Sequence, residues 1–230
     1  KNGGNVAGIQ ANINKILLQS NPLRSSVALG GCSGTLIGYS REGSPMVLTA
    51  AHCVREGGSR NVWLNNLNDG SKADRGVRGI YAEVVAYSGR GYRSYETKDL
   101  ALMKLHPNDE QLKQIKKRGF ARISPRKDFV QVDDKVTMIG CPVSTFYSRS
   151  CNVLRIDQTT GTDSLRTDLE PYKGQSGGGL FKGRHLVGVV QSWRDGRARG
   201  GFGNLQSIYK LLDDSGYSYL YEIFFVFVFK

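Results

Sequence analysis

Turn-forming residues cut this chain into short apolar runs, and that spacing constrains the fold more than any other feature. Val27-Ala28-Leu29, Met46 to Ala51, Val62-Trp63-Leu64, Leu100 to Leu105, Val153 to Ile156 and Leu186 to Val190 each read as a strand. Val77 to Tyr87 alternates over a longer stretch, and Val130 to Gly140 regains strand character. Glycine is abundant at 29 residues against 6 prolines, the balance expected of many strands joined by tight turns. A helix is expected only at Asp109 to Arg118, at Gln206 to about Leu212, and as one turn over Ile13 to Leu18 before Asn21-Pro22. Many short strands with frequent turn signals predict a barrel or sandwich. At 230 residues there is room for one large all-β domain or two small ones. No run approaches the roughly 20 apolar residues that cross a bilayer as a helix.

Charge and cysteine usage narrow the class. The formal net charge is +12, which suits acidic partners such as polyanions or an anionic surface, and suits solubility equally well. Arg122/Arg126/Lys127 and Arg194/Arg197/Arg199 are basic sets, and Arg90-Gly91-Tyr92-Arg93 interleaves an aromatic. No nucleic-acid-binding motif accompanies them, so specific nucleic-acid binding is not expected. The four cysteines, Cys32, Cys53, Cys141 and Cys151, do not form CxxC pairs, so no metal site is expected of them. They fit two disulfides in any of three pairings, or four buried thiols.

The chemistry gathers around Gly174-Gln175-Ser176-Gly177-Gly178-Gly179. Serine needs a base to take its proton, and glycines around it suit a turn whose N–H groups face a developing oxyanion. Among three histidines, His106 precedes proline and His185 lies in a turn. His52 ends an apolar strand, where its ring would be held at a surface; a neutral imidazole, with a reference pKa of about 6.5, accepts a serine proton. Asp99 directly precedes an apolar strand, where an ionised carboxylate needs a partner, so it is the candidate to orient His52. The order His, Asp, Ser and the lack of βα alternation exclude the α/β-hydrolase arrangement, although Gly174 to Gly178 satisfies its short pattern.

Thr49-Ala50-Ala51-His52-Cys53, Asp99-Leu100-Ala101-Leu102 and Gly174-Gln175-Ser176-Gly177-Gly178 resemble the three signatures of the chymotrypsin-fold, trypsin-like serine protease family. Gly31 to Ile37 is similar to the family's strand before the histidine, and the likeness spans roughly residues 27–210. The resemblance implies an all-β fold: two six-stranded antiparallel β-barrels, the active site between them and a short C-terminal helix. It implies His52 as base then acid, Asp99 as its partner, Ser176 as nucleophile, and the Gly174 and Ser176 N–H groups as oxyanion hole. It further implies peptide hydrolysis through an acyl-enzyme without cofactor or metal, on protein or peptide substrates, and disulfides Cys32–Cys53 and Cys141–Cys151. Those bonds place the chain in an oxidising compartment, periplasmic or extracellular. The corresponding divisions are a lead-in over 1–26, a barrel over 27–108, a linker over 109–129, a barrel over 130–205, and a closing helix with apolar tail over 206–230.

Departures from the family pattern sharpen this. Gln175 stands where animal-type members carry an aspartate paired with a new N-terminal amine, so that activation route is not expected. Thr167-Asp168 ahead of the serine loop looks like bacterial members, including glutamyl endopeptidases and high-temperature-requirement proteases. Glu170 falls where an acid at the pocket floor would select Lys or Arg. The strand through Ser192-Trp193-Arg194 is one residue longer than usual and puts Arg194 at the pocket mouth, to pair with Glu170 or to select an acidic residue. The counter-reading is a weak or inactive module of this fold that binds polyanions or proteins. The tail Ile223 to Phe229 is apolar and uncharged, a segment for a strand, an oligomer contact or a membrane surface. Oligomeric state is not legible.

Overall fold

Strand runs buried on both faces organise the molecule. The computed structural model describes residues 22–64, 79–89, 99–140, 147–157, 164–192 and 200–222. A single turn, α1 (Pro22–Ser25), leads into β1 (Ser26–Ala28), β2 (Ser33–Tyr39), β3 (Pro45–Thr49), β4 (Ser59–Leu64), β5 (Ile80–Tyr87) and β6 (Ala101–His106). These close into a barrel in the order β1-β2-β3-β6-β5-β4, all pairs antiparallel. Val47, Met103 and Leu105 fill it with Val27, Leu36, Val62 and Ile80. Met46, Leu48, Leu100 and Leu102 belong instead to the core of the second half. Successive residues of a strand point to opposite faces. That is why Met46 to Ala51 and Leu100 to Leu105 are unbroken apolar runs: β3 and β6 form the wall between two cores.

Helix α2 (Asp109–Arg118) then crosses between the halves. Its start is fixed by a capping box, in which Asn108 and Gln111 each bond the other's backbone N–H. Asp109 and Glu110 open it and Lys116-Lys117-Arg118 close it, each charge favourable to the helix dipole. β7 (Arg122–Ile123), β8 (Lys135–Gly140), β9 (Tyr147–Asp157), β10 (Ser164–Thr167), β11 (Gly179–Lys182), β12 (His185–Ser192) and β13 (Gly200–Asn204) follow. The ring β11-β8-β9-β10-β13-β12 closes through β11–β12 pairing, giving a second six-stranded antiparallel barrel. β7 lies parallel to the start of β12, outside that ring. Helix α3 (Leu205–Asp214) starts from an Asn204 cap and packs Ile208, Tyr209 and Leu212 inward. α4 (Tyr219–Glu222) reaches back to the first barrel: Leu220 lies against Gly38, and Arg41 sits 5.0 Å from the Tyr219 ring centre.

The expected pair of barrels and the closing helix are therefore present, as is the Cys32–Cys53 disulfide, which spans 21 positions. The lead-in up to residue 21, Cys141 and its pairing with Cys151, Arg90 to Arg93, the run 193–199 with Trp193, Arg194, Arg197 and Arg199, and the tail from Ile223 lie outside the described residues. No described helix is long and apolar enough to cross a membrane.

Loss of the disulfide, by Cys32→Ser with Cys53→Ser, is expected to lower unfolding stability by about 3 kcal/mol on a chain-entropy argument. Urea unfolding of the double variant beside the parent checks it.

Candidate active site

β3 and β6 are antiparallel neighbours, with Thr49 opposite Ala101. His52 follows the end of β3 and Asp99 precedes the start of β6, so the two arrive at the same end of one strand pair. After Thr49 the chain makes a short 3-10 turn, Ala51–Cys53. Two restraints pin that turn. Cys53 is bonded to Cys32, and the Arg60 guanidinium donates to the Cys53 carbonyl and to the Gly30 carbonyl, the latter at 2.8 Å.

Asp99 receives His52 twice. Its Oδ1 accepts the His52 backbone N–H at 2.7 Å and its Oδ2 lies 2.8 Å from His52 Nδ1. The Asp99 side chain is only 4% exposed, whereas that of His52 is 31% exposed. An ionised carboxylate is acceptor-only, so the Nδ1 contact requires the imidazole proton on Nδ1 and leaves the Nε2 lone pair available. Burial pushes the Asp99 carboxyl above its ordinary range, with the hydrogen bonds from His52 and from the Ala51 backbone opposing that rise.

The backbone of Asp99 is strained as well. Its φ is 111°, a region that side-chain-bearing residues rarely enter. Ser88 holds it there. The Ser88 Oγ accepts the N–H groups of Asp99 and Leu100 at 3.0 and 2.8 Å and donates to the Leu100 carbonyl at 3.1 Å. From the second barrel, Gln191 Nε2 stands 3.5 Å from the Asp99 carbonyl. Gln191 sits at a register shift of β12, where Val190 pairs Phe202 and Ser192 pairs Gly201. This β-bulge sets the Gln191 amide toward Asp99.

The serine loop is a sequence of tight turns. Gln175 N–H donates to the Tyr172 carbonyl, Gly178 N–H to the Gln175 carbonyl and Gly177 N–H to the Val190 carbonyl, at 3.0, 2.8 and 2.7 Å. Gly174 and Gly177 have φ of 91° and 83°. A Cβ on Gly177 would lie 2.2 Å from both the Ser33 carbonyl oxygen and Thr49 Oγ1, so the glycine there is a condition of close approach between the halves. The Ser176 carbonyl accepts the Ser33 N–H at 2.7 Å and lies 3.6 Å from Cys53 Sγ. That sulfur is oxidised and carries no proton, so the second approach is packing alone. Through it the serine loop rests against the turn bearing His52. The N–H groups of Gly174 and Ser176 have no acceptor among the described residues, while those of Gln175, Gly177 and Gly178 are all engaged.

Of the remaining expected residues, Glu170 is half-buried and Ser192 ends β12, six and sixteen positions from Ser176 on either side. Cys32, Cys53 and His52 place ligand atoms within 4.8 Å of one another, but both sulfurs are consumed by the disulfide and offer no thiolate. Ser88, Arg60, Ser33 and the role of Gln191 escape a reading of the sequence.

Compared with known families, residues 12–213 match the sequence profile of the family described as Trypsin. The chain matches no individual curated protein.

Because the folded-state pKa of Asp99 is raised, its stabilising contribution is present below the unfolded value of 3.8 and is lost as pH rises through the folded value. Asp99→Asn removes that penalty. It is expected to hold or raise stability at neutral pH in urea unfolding, while any reaction using His52 as base slows about 10⁴-fold. Ser88→Ala leaves two adjacent buried N–H groups without their acceptor and is expected to cost about 1–3 kcal/mol in the same measurement.

Proposed function

Because the chain belongs to the trypsin family of serine proteases, we propose that it is an active endopeptidase working through His52, Asp99 and Ser176. The observation that carries this reading is the double hydrogen bond from Asp99 to His52, which sets the ring's tautomer and orientation. His52 Nε2 takes the proton of Ser176 as its Oγ attacks the scissile carbonyl. The carbonyl π bond opens to an oxyanion, which accepts hydrogen bonds from the Gly174 and Ser176 N–H groups. Collapse breaks the peptide C–N bond as His52 returns the proton to the leaving amine, giving the acyl-enzyme. Water, deprotonated by His52, then attacks the ester, and the carboxyl product leaves as Ser176 regains its proton. Asp99 stays ionised throughout and stabilises the imidazolium.

We assign Glu170 to the substrate pocket, where it favours a Lys or Arg side chain at the cleaved residue. Ser192, which ends β12, and Trp193 and Arg194, which follow it in the sequence, are assigned to the same pocket. The Cys32–Cys53 bond supports action in an oxidising compartment, periplasmic or extracellular. The +12 charge supports a polyanion-binding role for the same fold as the competing reading.

A fluorophosphonate probe tests the chemistry. The parent is expected to label, Ser176→Ala to abolish labelling, and His52→Ala to slow peptide turnover by about 10⁶. Labelling that survives Ser176→Ala overturns the nucleophile. A parent that neither labels nor cleaves a proteome-derived peptide library, yet binds heparin in a salt-sensitive way, favours the binding module.

A further inference from the structure

Two peptide planes flank the Ser176 N–H, and both are tied at each end. The plane joining Gly174 to Gln175 has its carbonyl held by Ser33 Oγ at 2.9 Å and its N–H held by the Tyr172 carbonyl at 3.0 Å. The plane joining Ser176 to Gly177 has its carbonyl held by the Ser33 N–H and its N–H by the Val190 carbonyl, each at 2.7 Å. A peptide plane bonded at both ends cannot rotate without breaking a bond. The N–H groups of Gly174 and Ser176, on the planes between and beside them, are thereby aimed.

Ser33 supplies one bond to each tied plane, and it comes from the other barrel. It is fully buried. Its own carbonyl accepts Thr49 Oγ1 at 2.7 Å, and Thr49 ends the strand that runs into His52. One residue therefore connects the strand bearing the base to both sides of the nucleophile. Within the loop, Gln175 is fully buried and its Oε1 accepts the Tyr172 N–H at 2.6 Å. With the backbone bond in the reverse direction, this closes Tyr172 to Gln175 into a ring. Gln175 Nε2 is buried and has no hydrogen-bond partner among the described residues.

We propose that Ser33 and Gln175 are positioning residues that hold the oxyanion-binding N–H groups in place through neutral hydrogen bonds alone. This rests on the endopeptidase reading above. Among the described residues, the bonds that form the lock involve no titrating group. Neither side chain touches the reacting atoms; each acts through the peptide planes it holds.

The test uses Ser33→Ala, which keeps the backbone N–H bond and removes the Oγ bond, and Gln175→Met, which keeps length and removes the acceptor. For each, kcat and KM are measured on a peptide substrate. Affinity is measured for a peptide aldehyde, which forms a tetrahedral adduct with Ser176, and for the matching alcohol, which does not. Amide hydrogen exchange is followed over Lys173 to Gly178. Ser33→Ala is expected to lower kcat and aldehyde affinity together, about 10- to 100-fold, with KM and alcohol affinity unchanged and exchange in the loop faster. Gln175→Met is expected to act in the same direction. Unchanged kcat and aldehyde affinity in both variants, beside an active parent, overturns the lock and leaves the endopeptidase reading standing. A rise in KM alone overturns it as well. If the parent shows no hydrolysis or labelling, the endopeptidase reading fails, and exchange decides the lock by itself: faster exchange in the variants supports it, and unchanged exchange overturns it.

Discussion

A carboxylate lies at the seam of two hydrophobic cores, and the arrangement around it follows from keeping it there. Asp99 is almost wholly buried between β3, β6 and the second barrel. Removing a charge from water is costly unless hydrogen bonds replace the lost hydration. Here the replacements come from His52, through its ring and its backbone N–H, and from the Ala51 backbone. The bond is reciprocal: the ring gains its tautomer and orientation from the group whose burial it compensates. Burial still pushes the carboxyl above its ordinary range, with these hydrogen bonds opposing the rise.

Strain at Asp99 belongs to the same account. A φ of 111° is tolerated because Ser88 takes both adjacent N–H groups into one hydroxyl and the flanking runs are packed on two sides. Backbone strain persists only where the surroundings over-determine it. The wall formed by β3 and β6 supplies that rigidity, since its side chains are interdigitated with both cores and cannot relax toward either. A barrel with one solvated face could not hold the same residue so firmly.

How far the sequence could be read follows from the same physics. Unbroken apolar runs marked β3 and β6 and, at their ends, His52 and Asp99. The bounds of α2 were legible to the residue because an Asn-Gln capping box and charges matched to the dipole act locally. β13 was not, since Gly200-Gly201-Phe202-Gly203-Asn204 offers one apolar side chain, and Gly203 reflects crowding rather than propensity. A Cβ on Gly203 would meet the Gln191 amide at 2.6 Å. β7 has only two residues and exists through pairing with β12. β9 carries Ser148-Arg149-Ser150 through its ladder with β8, where backbone bonding outweighs side-chain pattern. Ser88 and Ser33 left no trace because a serine's hydrogen bond to backbone 11 or 141 positions away has no local pattern.

The last constraint is mutual placement of His52 and the Ser176 loop, which sit on different barrels. Packing between barrels sets their approach only as finely as side chains of variable size allow. Backbone hydrogen bonds are finer, since a displacement of a fraction of an ångström weakens them. Ser33 meets both requirements. It lies inside the β1–β2 ladder, opposite Ala28, so the first barrel fixes its position. Its N–H and Oγ then bond the Ser176 and Gly174 carbonyls, so the second barrel's loop inherits that position. Gly177 completes the join, because any side chain there would drive the Ser33 and Thr49 oxygens away. Placement across the cleft is thereby built from main-chain geometry on both sides, with one small hydroxyl as the added tie.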